Sequence, residues 1–380
     1  MNVRDDTSPA LDSASVRLFL CGDVMTGRGI DQILPHPSAP ELHEDFVRDA
    51  RDYVLLAERR SGWIPKPVTP EYVWGAALSE LEQRAPDARI VNLETSITRS
   101  DDWVDKGINY RMHPDNVGCL TTARIDVCAL ANNHVLDYGY AGLLETLEVL
   151  ERAGCHYAGA GRTLSEAYRP ARLPLRSGTL RVFSVGTPSS GIPESWAAGQ
   201  NRPGVALLPE VSESAAEELV SRIRRDKGVG DLVVVSIHWG PNWGYELPRA
   251  WVEFAHRLVE GGVDLVHGHS SHHPRAIEVY RGKLVLYGCG DFVTDYEGIE
   301  GYEEYRGDLA PMYFATLEPH SGRLLDLRLR VMQSRRLRLE RATSRDVSWL
   351  ERMLSTISAQ FGTRFETAAD GTIALARSAP

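Results

Sequence analysis

Short apolar runs separated by polar, glycine-containing turns repeat along the chain, with amphipathic stretches between them. Such runs predict strands, and the alternation with amphipathic stretches predicts a layered α/β fold. The clearest runs are residues 16–21, 89–93, 127–131, 180–185, 232–237, 265–266 and 284–287. Each is followed closely by Asp, Asn or His.

Three of the amphipathic stretches predict helices that pack on the sheet. The apolar residues of 142–154 approximate one helix face, and Gly154 is placed to end that helix. The spacing of four between Ala215, Leu219 and Ile223 predicts a second helix over residues 212–225. A third is expected over residues 248–261, again ending in glycine.

Two segments depart from this pattern. Residues 35–70 are rich in Pro, charge and aromatic side chains and lack a strong period, which predicts an insertion near the substrate pocket. From about residue 342 the pattern becomes that of a polar helix and a tail. We therefore expect a catalytic domain over residues 1–345 and an appended helix and tail over residues 346–380.

Composition narrows the class of partner. The chain has 380 residues, 43% of them hydrophobic, which suffices for a sizeable core. Because 52 acidic residues outnumber 42 basic ones, the formal charge is −10, and we expect no nucleic-acid partner.

Cysteine usage and hydropathy bear on location. The five cysteines form no CxxC spacing and cannot all pair within one chain, so we expect buried free thiols and a reducing compartment. The N-terminus lacks the apolar stretch of a signal peptide, and no run reaches the ~18 apolar residues of a membrane span. We expect a cytoplasmic protein without a membrane span, and the oligomeric state stays open.

The first two runs end in polar residues that could converge at one sheet edge. Asp23 is a candidate metal ligand, with a turn or cap role as the alternative. The glycines that flank Arg28 let backbone N–H groups approach an anion. Asn92 and Glu94 place an amide and a carboxylate on the same side of an extended chain, although Asn92 could equally be a structural cap.

The third run gives the sharpest signal, because a buried strand that ends in two amides and an imidazole is an odd choice for packing alone. Asn133 could coordinate a hard cation or hold a substrate oxygen, and His134 could move protons near neutral pH. Asp137 could orient that imidazole or cap the following helix, and we favour the cap.

Later runs end in more imidazoles. His238 is a candidate ligand or a core histidine, and Trp239 and Trp243 either wall the pocket or belong to the core. Four of the chain's 12 histidines then lie within residues 267–273, where Gly268 permits a tight turn that lets rings converge. Asp291 follows another strand as a ligand, a base or a partner of a histidine.

The ordered motifs GDVMTGRG, VNLETSIT, LANNHVLDYG, SIHWG, GHSSHHP and GCGDF resemble those of the bacterial capsule-synthesis CapA family, which is associated with poly-γ-glutamate production. That family looks like a branch of the calcineurin-like metallophosphoesterases. The resemblance spans residues 16–292 and implies a calcineurin-like α/β/β/α sandwich with its site at the carboxyl ends of the strands.

The resemblance also implies a site with one or two divalent ions, of calcium, manganese or zinc. The expected metal ligands are Asp23, Glu94, Asn133, His238, His269 and His272. The expected acid–base pairs are His134 with Asp137, and His269 or His272 with Asp291. The expected substrate contacts are Arg28, Asn92, Trp239 and Trp243.

Three positions depart from the family pattern. Met25 stands where phosphoesterases of this fold usually have a histidine, and Ser270 replaces the central histidine of a GxHPH motif. Asp291 stands where many members have Asn. The loss of imidazoles and the gain of a carboxylate fit a single harder ion as well as a zinc or manganese pair.

Three functions follow as hypotheses. The favoured one is metal-dependent acid–base chemistry on a peptide or polyglutamyl substrate, including inversion of a Cα centre without an organic cofactor, since the same branch resembles lasso-peptide epimerases. The alternatives are phosphoester hydrolysis and a non-enzymatic role in poly-γ-glutamate capsule biosynthesis.

Overall fold

The computed structural model describes residues 15–376 and contains long parallel strands flanked by helices. The strands, in chain order, are β1 (Val16–Val24), β2 (Ala88–Leu93), β3 (Ser96–Ile97), β4 (Arg111–Met112), β5 (Val127–Ala129), β6 (His156–Ala158), β7 (Ala160–Gly161), β8 (Ala171–Leu175), β9 (Gly178–Gly186), β10 (Gly204–Val205), β11 (Leu232–His238), β12 (Leu265–His269), β13 (Ile277–Tyr280), β14 (Lys283–Leu286), β15 (Asp291–Val293), β16 (Leu309–Leu317), β17 (Leu324–Arg335), β18 (Arg338–Arg341), β19 (Phe365–Thr367) and β20 (Ile373–Leu375). The α-helices are α1 (Arg28–Ile33), α2 (Arg51–Ser61), α3 (Ala77–Arg84), α4 (Gly118–Thr122), α5 (Gly139–Ala153), α6 (Leu164–Ala167), α7 (Glu213–Asp226), α8 (Arg249–Glu260) and α9 (Ser344–Ser358).

The strands and helices expected from hydrophobic periodicity are present. The seven apolar runs form β1, β2, β5, β9, β11, β12 and β14, and the three amphipathic stretches form α5, α7 and α8. Gly154 ends α5 in the left-handed conformation, at a φ of 73°. The Ser212 hydroxyl caps α7 by accepting a hydrogen bond from the backbone N–H of Ala215.

Two large sheets form the centre of the protein. The first has the order β19-β20-β17-β16-β1-β2-β5-β6, with β15 beside β1 and β18 beside β17, and the second has the order β13-β14-β12-β11-β9-β8. Strands β1, β2, β5 and β6 are parallel, as are β9, β11, β12 and β14. Their carboxyl ends therefore carry polar residues to the same edge of each sheet.

Alternate side chains of the central strands enter different cores. In β1, Leu18 and Leu20 pack between the two sheets, whereas Phe19 packs in the outer core that contains α5 residues. In β11, Val234 packs between the sheets, and Val235 packs in the outer core that contains α7 and α8 residues. This period of two produces the order helix, sheet, sheet, helix, which confirms the expected α/β/β/α sandwich.

The segment at residues 35–70 contains a helix that the sequence pattern did not reveal. Helix α2 buries Tyr53, Val54 and Ala57, and its neighbouring loop carries the buried Glu44. The period is weak because only these few positions of the helix face the interior. The segment thereby contributes two polar side chains, Glu44 and Tyr53, to the surroundings of Arg28.

The C-terminal segment begins with the expected helix and then continues into the first sheet. Helix α9 packs on the core between the sheets through Leu350 and Leu354, and β20 pairs with β17. The division at residue 345 stays a prediction, and residues 1–14 and 377–380 of the two expected units lie outside the described residues. Within residues 15–376 no helix combines the length and the apolar composition needed to cross a membrane.

The expectation of free thiols is confirmed. Each of the five cysteines is buried, and none of them is paired in a disulfide. Burial raises the pKa of the thiols of Cys21 and Cys289, so these side chains behave as small apolar groups.

Two glycines allow β1 and β15 to approach each other. The backbone N–H of Asp23 donates to the carbonyl oxygen of Gly290 at 3.0 Å. A Cβ atom at Gly22 would lie 1.6 Å from that oxygen, so only glycine fits here. The close approach sets Asp23 opposite Asp291 in the parallel pair.

We predict that Gly22→Ala lowers the free energy of unfolding by about 3 kcal/mol or more, because the clash involves backbone that cannot rotate away. Chemical denaturation of the purified protein measures the change. The control is Gly118→Ala, because a Cβ at this position would make an ordinary contact at 3.5 Å with Pro70. The free energy of unfolding of this variant should stay within about 0.5 kcal/mol of that of the wild type. Equal stabilities of the two variants would contradict this account of the strand approach.

Candidate functional site

A pair of carboxylates lies at the carboxyl end of β1. Asp23 stands opposite Asp291 on one side and opposite Asn92 on the other. Its Oδ1 accepts a hydrogen bond of 2.8 Å from Asn92, and its Oδ2 is buried without a hydrogen-bond partner among residues 15–376. Burial, followed by the charge of Asp291, raises the pKa of Asp23 to about 6.

Glu94 adds a third buried carboxylate. Its Oε1 lies 3.9 Å from Nε2 of His134 and 3.9 Å from Nε2 of His238. Burial raises the pKa of Glu94 well above its ordinary value, and the charges of Asp23 and Asp291 act in the same direction. The three carboxyl groups therefore resist being ionised together, and a cation bound between them would favour their ionised forms.

Asn92 holds Asp23 in place, and the substrate contact expected for Asn92 stays a prediction. Its amide nitrogen donates to Asp23, and its amide oxygen accepts a 3.0 Å hydrogen bond from Asn132. The residue is fully buried. Both ends of the amide are thus occupied by protein.

Hydrogen bonds fix the protonated nitrogens of two buried imidazoles. Nε2 of His267 lies 2.8 Å from the carbonyl oxygen of Cys21, so this nitrogen carries the proton. Nδ1 of His267 then accepts from the Ser236 hydroxyl at 3.0 Å. The Ser236 oxygen in turn accepts from Nε2 of His269 at 2.8 Å, which leaves Nδ1 of His269 unprotonated.

The same reasoning leaves Nδ1 of His238 unprotonated, since its Nε2 donates to Oδ1 of Asn133 at 2.9 Å. The two bare Nδ1 atoms of His238 and His269 face each other at 2.8 Å. Burial lowers the pKa of both imidazoles; His134 and His272 act in the same direction on His238, and His238 and His267 do so on His269, which disfavours a shared proton. A cation would relieve the repulsion between the lone pairs.

The donor set therefore fits a divalent ion. Asp23, His238 and His269 offer ligand atoms that all lie within 4.8 Å of one another, and so do Asp23, His272 and Asp291. Both groups share Asp23, so the site has donors for one ion or two. Neutral imidazoles with carboxylates are donors that zinc and manganese accept.

Of the three departures from the family pattern, Asp291 belongs to one of these groups, whereas Met25 and Ser270 belong to neither. Met25 is fully buried and brings no nitrogen or oxygen donor. Ser270 adopts a left-handed φ of 98°, and its hydroxyl donates to the carbonyl oxygen of Gly240 at 3.0 Å. Its side chain is thus bound to the neighbouring loop.

The pair formed by His272 and Asp291 is present, whereas the alternative pair of His269 with Asp291 is not. Nδ1 of His272 lies 2.9 Å from Oδ1 of Asp291. Burial acts to lower the pKa of His272, but the charge and hydrogen bond of Asp291 and the charge of Asp23 outweigh it, so the pKa is raised. This imidazole therefore holds a proton readily.

The second expected pair is also formed, and it corrects the preferred role of Asp137. Oδ2 of Asp137 lies 2.6 Å from Nδ1 of His134 and accepts a 2.6 Å hydrogen bond from the backbone N–H of Tyr110. Helix α5 instead has Tyr138 at its N-cap, without a side-chain cap. The interpretation of Asp137 as a cap was wrong, because the loop that carries Tyr110 directs the carboxylate to the imidazole.

Lys106 is a site residue that the sequence analysis missed. Its Nζ lies 2.9 Å from Oδ1 of Asp137, donates to the carbonyl oxygen of Asn133 at 2.6 Å and lies 3.3 Å from Nδ1 of His134. Burial lowers the pKa of His134 well below its ordinary value, with Lys106 and Arg28 acting in the same direction. His134 is therefore neutral near pH 7.

Asp137 has the opposite shift. Burial raises its pKa to about 7, and the charge of Lys106 acts against this rise. No local pattern marks Lys106, since it lies in an irregular loop 28 positions from His134 in the sequence. Only the tertiary fold brings the two together.

Arg28 is bound by carboxylates of the protein, and the substrate contact expected for it stays a prediction. Its guanidinium is buried and bound by two carboxylates, at 2.5 Å from Oδ1 of Asp295 and at 2.8 Å from Oε1 of Glu44. The backbone N–H of Gly29 donates to the same Asp295 at 2.8 Å. The anion that the turn around Arg28 approaches is thus the carboxylate of Asp295, a side chain of the protein itself.

The two tryptophans have different places. Trp239 is a core residue, because it is buried, stacks on Trp251 at 5.2 Å and donates its indole N–H to the carbonyl oxygen of Tyr287. These contacts support the core alternative, and a substrate contact of Trp239 stays a prediction. Trp243 lies at the site, where its ring is 5.4 Å from that of His272 and is stacked on Tyr302 at 4.1 Å.

We predict that zinc or manganese binds about tenfold more weakly at pH 5 than at pH 8. The ion must displace the proton that Asp23, with a pKa of about 6, retains in acid, whereas the lowered pKa values of His238 and His269 keep both rings neutral. Isothermal titration calorimetry of the metal-free protein measures the affinities and the released proton.

The controls for this titration are two carboxylate variants. Asp23→Asn should bind the ion poorly at every pH. Asp31→Asn removes an equally buried carboxylate that bonds to His113 and Asn116 and should keep the wild-type profile. An affinity that is the same at both pH values would contradict Asp23 as a ligand.

Comparisons with known proteins agree with this architecture. The model of the family described as "Bacterial capsule synthesis protein PGA_cap" matches residues 17–296. A probable polyglutamine synthesis accessory protein of Mycobacterium tuberculosis (strain CDC 1551 / Oshkosh) is 49% identical over 358 residues, which covers 93% of this chain and 94% of that protein.

Two proteins of bacilli are more distant relatives. The PGA biosynthesis protein CapA of Bacillus subtilis (strain 168) is 31% identical over 214 residues, or 56% of this chain and 54% of that protein. The capsule biosynthesis protein CapA of Bacillus anthracis is 27% identical over 285 residues, or 75% and 61% of the two chains. The family match covers most of the sandwich and the strand ends that carry Asp23, Glu94, His238, His269 and Asp291, so the chain belongs to the PGA_cap family of bacterial capsule synthesis proteins, whose fold is of the calcineurin-like metallophosphoesterase type.

Proposed function

We propose that the protein is a metal-dependent enzyme that inverts a Cα centre in a polyglutamyl or related peptide substrate by acid–base chemistry. The observation that carries the proposal is the presence of two separate imidazole–carboxylate pairs, His134 with Asp137 and His272 with Asp291, beside one buried carboxylate cluster. The names of the relatives, which refer to polyglutamine and PGA synthesis, support the class of substrate.

The two imidazoles are suited to opposite halves of such a reaction. Inversion requires one group to remove the Cα proton and another to return a proton from the opposite face. His134, held by Asp137 and kept neutral, is suited to accept a proton at Nε2. His272, whose pKa is raised beside Asp291, is suited to donate one.

The remaining polar residues would hold in place the ion that activates the substrate. A divalent ion held by Asp23, His238 and His269 would polarise the carbonyl beside the reacting Cα and so make its proton more acidic. Asn92 fixes Asp23, Asn133 orients His238 and Ser236 orients His269. These contacts preserve the geometry of the donors between turnovers.

We predict that the metal-loaded protein incorporates one solvent deuteron per inverted residue of a glutamyl oligomer in deuterium oxide, without cleavage. Mass spectrometry measures the deuteron, and chiral analysis of the hydrolysed oligomer measures the inversion. His134→Gln and His272→Gln should each lower the inversion rate by about 100-fold or more, since each removes one of the two proton carriers.

The design separates a two-base reaction from a one-base reaction. Each single variant should still exchange the Cα proton of one stereoisomer, L or D, and the two variants should retain opposite isomers. His320→Gln, at an exposed turn, should behave as the wild type. Absence of deuteron uptake by the metal-loaded protein with both isomers would overturn the proposal for this substrate class.

A second candidate is phosphoester hydrolysis, which one observation favours. The two candidate ligand groups share Asp23, as a hydrolase with two ions about 3.5–4 Å apart would require. In that case Nε2 of the neutral His134 would take up the proton that the attacking water loses and would then give it to the leaving oxygen. Two transition metals per chain, turnover of a phosphodiester and no deuteron uptake would select this function over inversion.

A further inference from the structure

A pair of tyrosines lies between the two imidazoles of the site. The Tyr110 ring stacks on the His134 ring, with centroids 3.8 Å apart. The Tyr296 ring meets the His272 ring edge to face, with centroids 5.1 Å apart. The two tyrosine hydroxyls are hydrogen-bonded to each other at 2.8 Å. A continuous series of contacts thus joins His134 to His272.

Arg28 holds this tyrosine pair. Its guanidinium carbon lies 4.8 Å from the centroid of the Tyr110 ring and 5.7 Å from that of the Tyr296 ring. It lies 3.7 Å from the Tyr53 ring, which comes from the segment at residues 35–70. A cation within about 6 Å of an aromatic ring is attracted to its face, so Arg28 fixes three rings at once.

Carboxylates on two sides prevent Arg28 from moving. Asp295 accepts from Nε at 3.1 Å and from Nη2 at 2.5 Å, and Glu44 accepts from Nη1 at 2.8 Å. Glu44 also accepts a hydrogen bond from the Tyr53 hydroxyl. Arg28 itself adopts a left-handed φ of 42°, a conformation that surrounding contacts must maintain.

We propose that Tyr110 and Tyr296 form a positioning bridge that fixes the separation and orientation of the His134 and His272 rings, with Arg28 tying this bridge to residues 35–70. This inference rests on the proposed function only for its catalytic consequence. The bridge explains why a buried arginine occupies the GRG motif although its donors are bound to protein carboxylates. It also gives residues 35–70 a role in the geometry of the site.

The bridge has a consequence for a reaction that uses both imidazoles. A proton carrier misplaced by about 1 Å can lose about 100-fold in rate. Among residues 15–376 no hydrogen bond or ring contact joins His134 to His272, and each ring is held by its own carboxylate, so side chains that link the two rings add to the control of their separation. The tyrosine pair is such a group, and its hydroxyl–hydroxyl bond couples the two halves.

The test uses Tyr110→Phe and Tyr296→Phe in the full-length protein. Each variant keeps the ring and removes only the hydroxyl bond. The readout is the ring ¹H–¹³C correlation spectrum of the histidines, recorded on the metal-free protein and on the zinc-loaded protein, with His134→Gln and His272→Gln to assign the signals. We expect each tyrosine variant to shift the signals of both imidazoles, including the distant one.

Tyr157→Phe is the matched control. Tyr157 lies on β6, outside the contacts of the site, and its hydroxyl donates to Glu151 of α5 at 2.6 Å. Removal of this hydroxyl should shift the signals of neither imidazole. Shifts confined to the adjacent imidazole in both tyrosine variants would overturn the bridge. The spectra do not depend on turnover, so this result is separable from a failure of the proposed function.

Steady-state kinetics of the tyrosine variants give a second test when the wild type inverts its substrate. Each tyrosine variant should then lower kcat about tenfold or more with KM nearly unchanged, because the imidazoles are misplaced while the substrate contacts persist. The double variant should be no slower than the slower single variant, since both remove the same hydrogen bond. Independent, additive losses would contradict a shared bridge.

Discussion

Burial of three carboxylates at one sheet edge is the constraint on which the site depends. Asp23, Glu94 and Asp291 are each almost inaccessible to water, and an ionised carboxylate away from water is costly unless it is paired or bound to a metal. The raised pKa values of Asp23 and Glu94 express this cost. The facing lone pairs of His238 and His269 add a second repulsion, and a divalent cation would relieve both.

The fold maintains this arrangement through backbone geometry. Parallel strands from two sheets bring their carboxyl ends together, and Gly22 lets β15 approach β1 closely enough to set Asp291 beside Asp23. Around the carboxylates, neutral amides and a serine orient the possible ligands without adding charge. Two basic side chains lie nearby, each paired with a carboxylate outside this cluster: Lys106 with Asp137, and Arg28 with Asp295. Arg28 acts to lower the pKa of both His134 and His272, and Lys106 adds to the shift at His134.

The sequence was informative where local pattern determines structure. Apolar runs located the strands, and the polar residues after them located Asp23, His134, His238 and the histidines near residue 270. It was uninformative where partners come from distant loops. Lys106 and the tyrosine pair lie in segments without a period, and Arg28 and Trp239 have side chains whose partners only the tertiary structure reveals. The role of Asp137 was misjudged for the same reason.

The most direct test of the central claim is anomalous diffraction from crystals of the protein grown with zinc or manganese. The account predicts a strong anomalous peak bonded to Asp23, His238 and His269, with the two Nδ1 atoms turned toward the ion. A second peak at His272 and Asp291 would add an ion without changing the claim. Crystals that hold no ion at this cluster, with the two Nδ1 atoms still 2.8 Å apart, would contradict it.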